Sequence, residues 1–84
     1  MGATEVAAEA VAELERAYAM FPVAANSAHE QFAIMHEEFD ELKAHVWTNQ
    51  KRRDLDAMRK EAIQVIAMGL RFVVDICDGG RGRV

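Results

Sequence analysis

Along this chain apolar residues recur every three or four positions, and no segment alternates with the period of two that marks a strand. Val6, Ala10, Leu14, Ala17 and Tyr18 share one side of a first helix, predicted from about Thr4 to Met20. "FPVAAN" ends it, because a proline keeps the residue before it out of helical geometry, and Pro22 is the chain's single proline. A second stripe, Ala28, Phe32, Met35, Phe39, Leu42 and Val46, predicts a helix opened at Ser27. There "SAHE" reads as a capping box, with Ser27 and Glu30 exchanging hydrogen bonds. "WTNQKRRD" is a polar, basic turn. Asp54 then caps a third helix that runs from about Leu55 to Cys77 and is stopped by Gly79 and Gly80.

The third helix differs from the others. Ile63, Val65, Ile66, Ala67, Leu70, Phe72, Val73, Val74 and Ile76 cover nearly every direction around it, so it is expected to be buried on most sides. Two partner helices of one subunit do not cover that much apolar circumference. The expected architecture is therefore all-α: three helices in a single domain over 1–84, with an N-terminal helix and turn (1–26), an antiparallel helical hairpin (27–78) and a flexible tail (79–84). Hairpins of neighbouring subunits would pack into a four-helix bundle, as a homo-oligomer that is a dimer or tetramer. A chain of 84 residues, 51% of them hydrophobic, points the same way, since small cores gain from oligomerisation.

Charge narrows the function. A net charge of -4 argues against a broad nucleic-acid footprint, which needs a basic face. The single cysteine, Cys77, permits no intrachain disulfide and suits a reducing compartment; in its apolar run it reads as a small buried hydrophobe. The N-terminus carries glutamates where a signal peptide is basic, and no run approaches the ~18 apolar residues of a membrane span. The expectation is a soluble, cytoplasmic protein with no membrane partner.

The candidate chemistry lies in "HEEFDE", four acids in six residues. On a helical wheel Glu30, Glu37 and Glu41 fall opposite the apolar stripe, while Glu38 falls to one flank beside Ile34 and His45. Acids turned away from a core are usually solvated. Yet Glu37, Glu38 and Glu41 repel one another at their spacing unless a cation lies among them. The third helix carries one narrow polar seam, Glu61, Gln64, Arg71 and Asp75, and polar groups on a buried helix need partners. Folding the hairpin about Lys51 brings Glu41 beside Glu61, Glu38 beside Gln64, and Glu30 near Arg71. Carboxylates converging at one depth suit a hard divalent cation such as Mg²⁺.

"EEFDE" followed after a turn by "EAIQ" resembles the all-α nucleoside triphosphate pyrophosphohydrolases of the MazG-like group, whose signature is E-E-x-x-E, then E-x-x-D on the next helix. More widely, "NSAHEQFAIMHEEFDELKAHV" with "MRKEAIQVIAMGLRFV" is similar to short members found in phages and mobile elements. The resemblance implies a Mg²⁺-dependent (Mn²⁺ possible) cleavage of an NTP or dNTP substrate to monophosphate and pyrophosphate. It implies Glu37, Glu38, Glu41 and Glu61 as metal ligands, one of them orienting the attacking water. At the fifth position Gln64 replaces the family's aspartate, as a neutral ligand that cannot act as a base. Three possibilities stand: a site working on four glutamates, a module that binds nucleotide or assembles without catalysis, or a relic.

Four further residues are candidates for substrate binding. Arg71 either pairs with Glu30 or Asp75 or meets a phosphate. Lys51, in "KRR", is either a solvated turn residue or a contact for the polyphosphate. His45, near the acids, is within reach of a phosphate. Trp47 either stacks on a base or packs in an interface. His29 and His36 read as surface residues.

Overall fold

In the computed structural model, which describes residues 2–84, helix α1 covers Ala3–Met20, α2 Ala28–Val46 and α3 Leu55–Arg71. A 3₁₀ turn, Gln50–Arg52, closes the α2–α3 connection, and α3 continues as a wider π-helical segment, Phe72–Asp78. The described residues are helical with no strand. Helix α3 is the central element: α1 and α2 both pack on it, α2 running antiparallel, while contact between α1 and α2 is slight. The structure thus has two helices leaning on a third, with a groove between the outer pair.

The caps fall where the sequence places them. Ser27 Oγ accepts from the Glu30 N–H at 3.2 Å, and Asp54 Oδ1 from the Ala57 N–H at 3.0 Å, each satisfying a donor at a helix start. The return arm of the first box differs: Glu30 Oε2 accepts from the backbone and side chain of Asn26, not from Ser27. At the other end, a Cβ on Gly79 would run into the Asp75 carbonyl, and Gly80 has φ 82°, a conformation that favours glycine. Both glycines end the helix for a steric reason.

The core centres on Ala10, Ile63, Ala67, Met68 and Ile76. Two expectations change. The α2 stripe splits: Phe32 and Phe39 are exposed, and the side turned inward carries Gln31, Met35, Glu38, Leu42 and His45, at steps of three and four. Cys77 is exposed rather than buried, because the adjacent Ile76 takes the inward position on the last turn. Helix α3 and its extension are also barer than expected, since Ile66, Val73 and Val74 lie outside the cover that α1 and α2 provide.

One polar network ties the elements together. Arg71, buried at the end of α3, donates through Nε to Asp75 Oδ2 at 3.0 Å. Its Nη2 donates to the carbonyls of Phe21 and Val23, at 2.6 and 3.3 Å, on either side of Pro22. Its guanidinium lies 4.3 Å from the Tyr18 ring centre, and the Tyr18 hydroxyl donates to Asp75 Oδ1 at 2.6 Å. Burial, then the Asp75 carboxylate, pushes the Tyr18 hydroxyl up to about 12. The break that proline imposes frees two carbonyls, and Arg71 satisfies both.

Candidate metal centre and adjoining groove

Glu38 and Glu41 lie one turn apart on α2, and the antiparallel hairpin brings Glu61, in the second turn of α3, level with them. One carboxylate oxygen from each lies within 4.8 Å of the others. Glu38 and Glu61 are half-buried and Glu41 is exposed. Burial, then the neighbouring Glu41, Glu61 and Glu37, pushes the Glu38 carboxyl up to about 7. Glu61 is also raised, chiefly by a shared hydrogen bond with Glu41, against an opposing pull from His45 and Lys60. These are the marks of burial and of like charges held together, offset only in part by their neighbours.

The donor set fits a hard cation. An octahedral ion with bonds of ~2.1 Å holds its oxygens roughly 3.0–4.2 Å apart, which small side-chain rotations reach from the observed spread. The set offers carboxylate oxygens and no thiolate, which suits Mg²⁺ or Mn²⁺.

The structure distributes the remaining candidates. Glu37 lies outside the three-carboxylate group and lines the adjoining groove, close enough to raise Glu38. Gln64 also lines the groove, but its Nε2 donates to Glu13 Oε1 on α1 at 2.5 Å. Arg71 lines the groove with its donors directed to Asp75, Phe21 and Val23; Glu30 bonds Asn26 instead. His45 is half-buried near Glu61. Lys51 and Trp47 lie at the hairpin turn, away from the groove lining; Trp47 is 74% exposed, with the Lys43 ammonium 5.5 Å from its ring centre.

Comparison with protein-family models, curated proteins and solved structures gives no match.

Two groove residues escaped the sequence reading. Glu13 is half-buried, a turn from Ala10 and Ala17 on the packed face of α1, and meets Gln64 only because α1 docks on α3, so nothing on its own helix marks its partner. Gln31 does carry a signal, lying seven residues before Glu38 on the same helical face. Glu13 also pairs with Arg16, and its carboxyl is lowered by the Gln64 amide first and Arg16 second. Gln64→Asp removes that donor and sets two carboxylates against each other. Metal-free Gln64→Asp is expected to be less stable by about 1–3 kcal/mol in urea unfolding. The reversed pair, Glu13→Gln with Gln64→Asp, recovers most of the loss; an unchanged single variant would show that the bond contributes nothing.

Proposed function

We propose that this chain is a divalent-cation-dependent hydrolase of the MazG-like kind, cleaving an NTP or dNTP to monophosphate and pyrophosphate. The observation that supports this best is the meeting of Glu38, Glu41 and Glu61 across the hairpin, beside a groove of about 510 Å³ that Glu37 also lines. Glu38, Glu41 and Glu61 would hold the ion, which supplies neutralisation of phosphate charge when bound. Glu37, on the groove side, is free to accept the proton of an attacking water. The test is pyrophosphate release from a panel of triphosphates with Mg²⁺ or with chelator. Release that needs Mg²⁺ and is lost in Glu41→Gln and Glu61→Gln supports the proposal; no release across the panel removes it.

One observation favours a second reading, a nucleotide-binding module without turnover. Gln64, at the position where the motif carries an acid, is occupied with Glu13. Metal-dependent nucleotide binding without pyrophosphate release is the result that reading expects.

The assembly completes the proposal. Phe32 and Phe39 on α2, and Ile66 and Val73 along α3 and its extension, form two exposed apolar lines, each with residues seven apart. A second copy covering them gives the four-helix bundle of a homodimer. Light scattering at micromolar concentration should give twice the chain mass, and Phe39→Glu with Val73→Lys should give the monomer. A wild-type monomer would contradict this. No helix among the described residues is long and apolar enough to cross a membrane, and we place the chain in the cytoplasm on the strength of its lone cysteine.

A further inference from the structure

Gln31 is 1% exposed, yet its Nε2 N–H has no acceptor. An unpaired buried donor costs about 1–3 kcal/mol, and folded chains keep few of them. Gln31 is part of the wall of the groove that Glu37, Glu38 and Gln64 also line. Seven helical residues separate it from Glu38, about 10 Å along the axis of α2. The wall also carries apolar side chains: Ala17, Met20 and Phe21 at the end of α1, Ile34 on α2 and Met68 on α3. Glu13, Arg16, Glu30, Gln64 and Arg71 line it too, each with a hydrogen-bond partner, whereas Gln31 keeps a buried donor unpaired. A cleft of about 510 Å³ that mixes apolar walls with placed polar groups has the make-up of a small-molecule site. The three carboxylates lie at one end of that span and the unpaired amide at the other. A nucleotide has the same polarity, with phosphates at one end and a flat, largely apolar base at the other.

We propose that this groove holds the base of the nucleotide, and that the Gln31 carboxamide N–H donates to an acceptor on the base edge. The assignment rests on the nucleotide reading given above. The terminal torsion of glutamine is broad, so a rotation there turns the N–H into the groove. Met68 and Ile34 would take the faces of the ring. Uracil, thymine, cytosine and guanine present carbonyl oxygens and adenine presents ring nitrogens, so every base offers this donor an acceptor.

The test is calorimetric titration, with Mg²⁺, of three probes: inorganic tripolyphosphate, and the α,β-imido triphosphates of uridine and adenosine. Wild type is expected to bind both nucleotide probes about tenfold more tightly than tripolyphosphate, the factor that corresponds to one hydrogen bond to a buried donor. Gln31→Met, similar in shape, removes that advantage and leaves tripolyphosphate binding unchanged. Met68→Trp fills the groove and does the same. Equal binding of all three probes by wild type, or a preference that survives Gln31→Met, overturns the base pocket while leaving the cation site intact. Failure of the cation site shows differently: tripolyphosphate does not bind and Mg²⁺ does not stabilise the fold. A metal-free arm covers that case. Uridine and adenosine are each expected to shift the side-chain amide protons of Gln31, identified by their absence in Gln31→Met. Protons unmoved by either nucleoside overturn the proposal whatever the metal does.

Discussion

Saturating Mn²⁺ or Mg²⁺ is expected to raise the melting temperature of the metal-free protein at pH 7.5 by roughly 10 °C or more. The size follows from linkage: an ion at a hundred times its dissociation constant adds about 2.7 kcal/mol, and about 1 kcal/mol moves a domain of this size by 4–8 °C. The cause is the cluster of Glu38, Glu41 and Glu61, whose mutual repulsion His45 and Lys60 offset only in part. Glu61→Gln removes one of the repelling charges and lets an amide donate to Glu41. That variant should melt higher than wild type in chelator and gain little from metal. The pH dependence has a definite sign. Glu38 is raised from 4.5 to about 7 in the folded chain, so in that interval the folded state holds a proton that the unfolded state has lost. This contribution to stability is complete below about 4.5 and disappears as pH rises through about 7. Metal-free protein should therefore lose stability between pH 5.5 and 8, and bound metal should flatten or reverse that slope by favouring the ionised carboxylate. Thermal melts in chelator and in metal at both pH values decide it. A wild type indifferent to metal, with Glu61→Gln matching it throughout, would reduce the cluster to a solvated face.

Arg71→Leu should cost more than any other single change, about 3–5 kcal/mol, because it strands a buried partner. The side chains of Arg71 and Asp75 are 7% and 10% exposed, so screening by water is small. Without the guanidinium, Asp75 keeps only the Tyr18 hydroxyl, and the Phe21 and Val23 carbonyls lose their donor. The domain's whole stability is of the order of 5–10 kcal/mol, so the variant should be partly unfolded at 37 °C. Replacing both charges, Arg71→Leu with Asp75→Leu, removes the stranded carboxylate and should recover a substantial part of the loss. Urea unfolding of the three proteins tests this. A double variant no better than Arg71→Leu would show that the carbonyls, rather than the ion pair, set the cost.

Much of this structure is written locally. Helix limits follow from Pro22, Ser27, Asp54 and the Gly79–Gly80 pair, since each acts on backbone geometry within a turn of itself. Hairpin register follows from the short polar connection, which leaves few ways to set α2 against α3, so Glu41 and Glu61 come level. What the periodicity of α2 left undecided was its rotation. The line 28, 32, 35, 39, 42, 46 and the line 31, 35, 38, 42, 45 share Met35 and Leu42, and one turns Phe32 and Phe39 inward where the other turns Gln31 and Glu38 inward. Only docking against α3 selects the second, which buries Gln31 and leaves the phenylalanines outside. The placement of α1 was equally out of reach. Glu13 meets Gln64 across 51 residues of chain, and Arg71 meets Phe21 across 50. Helical spacing relates residues within a few turns; contacts of that separation arise only when whole helices pack, and those contacts shape the groove beside the carboxylates.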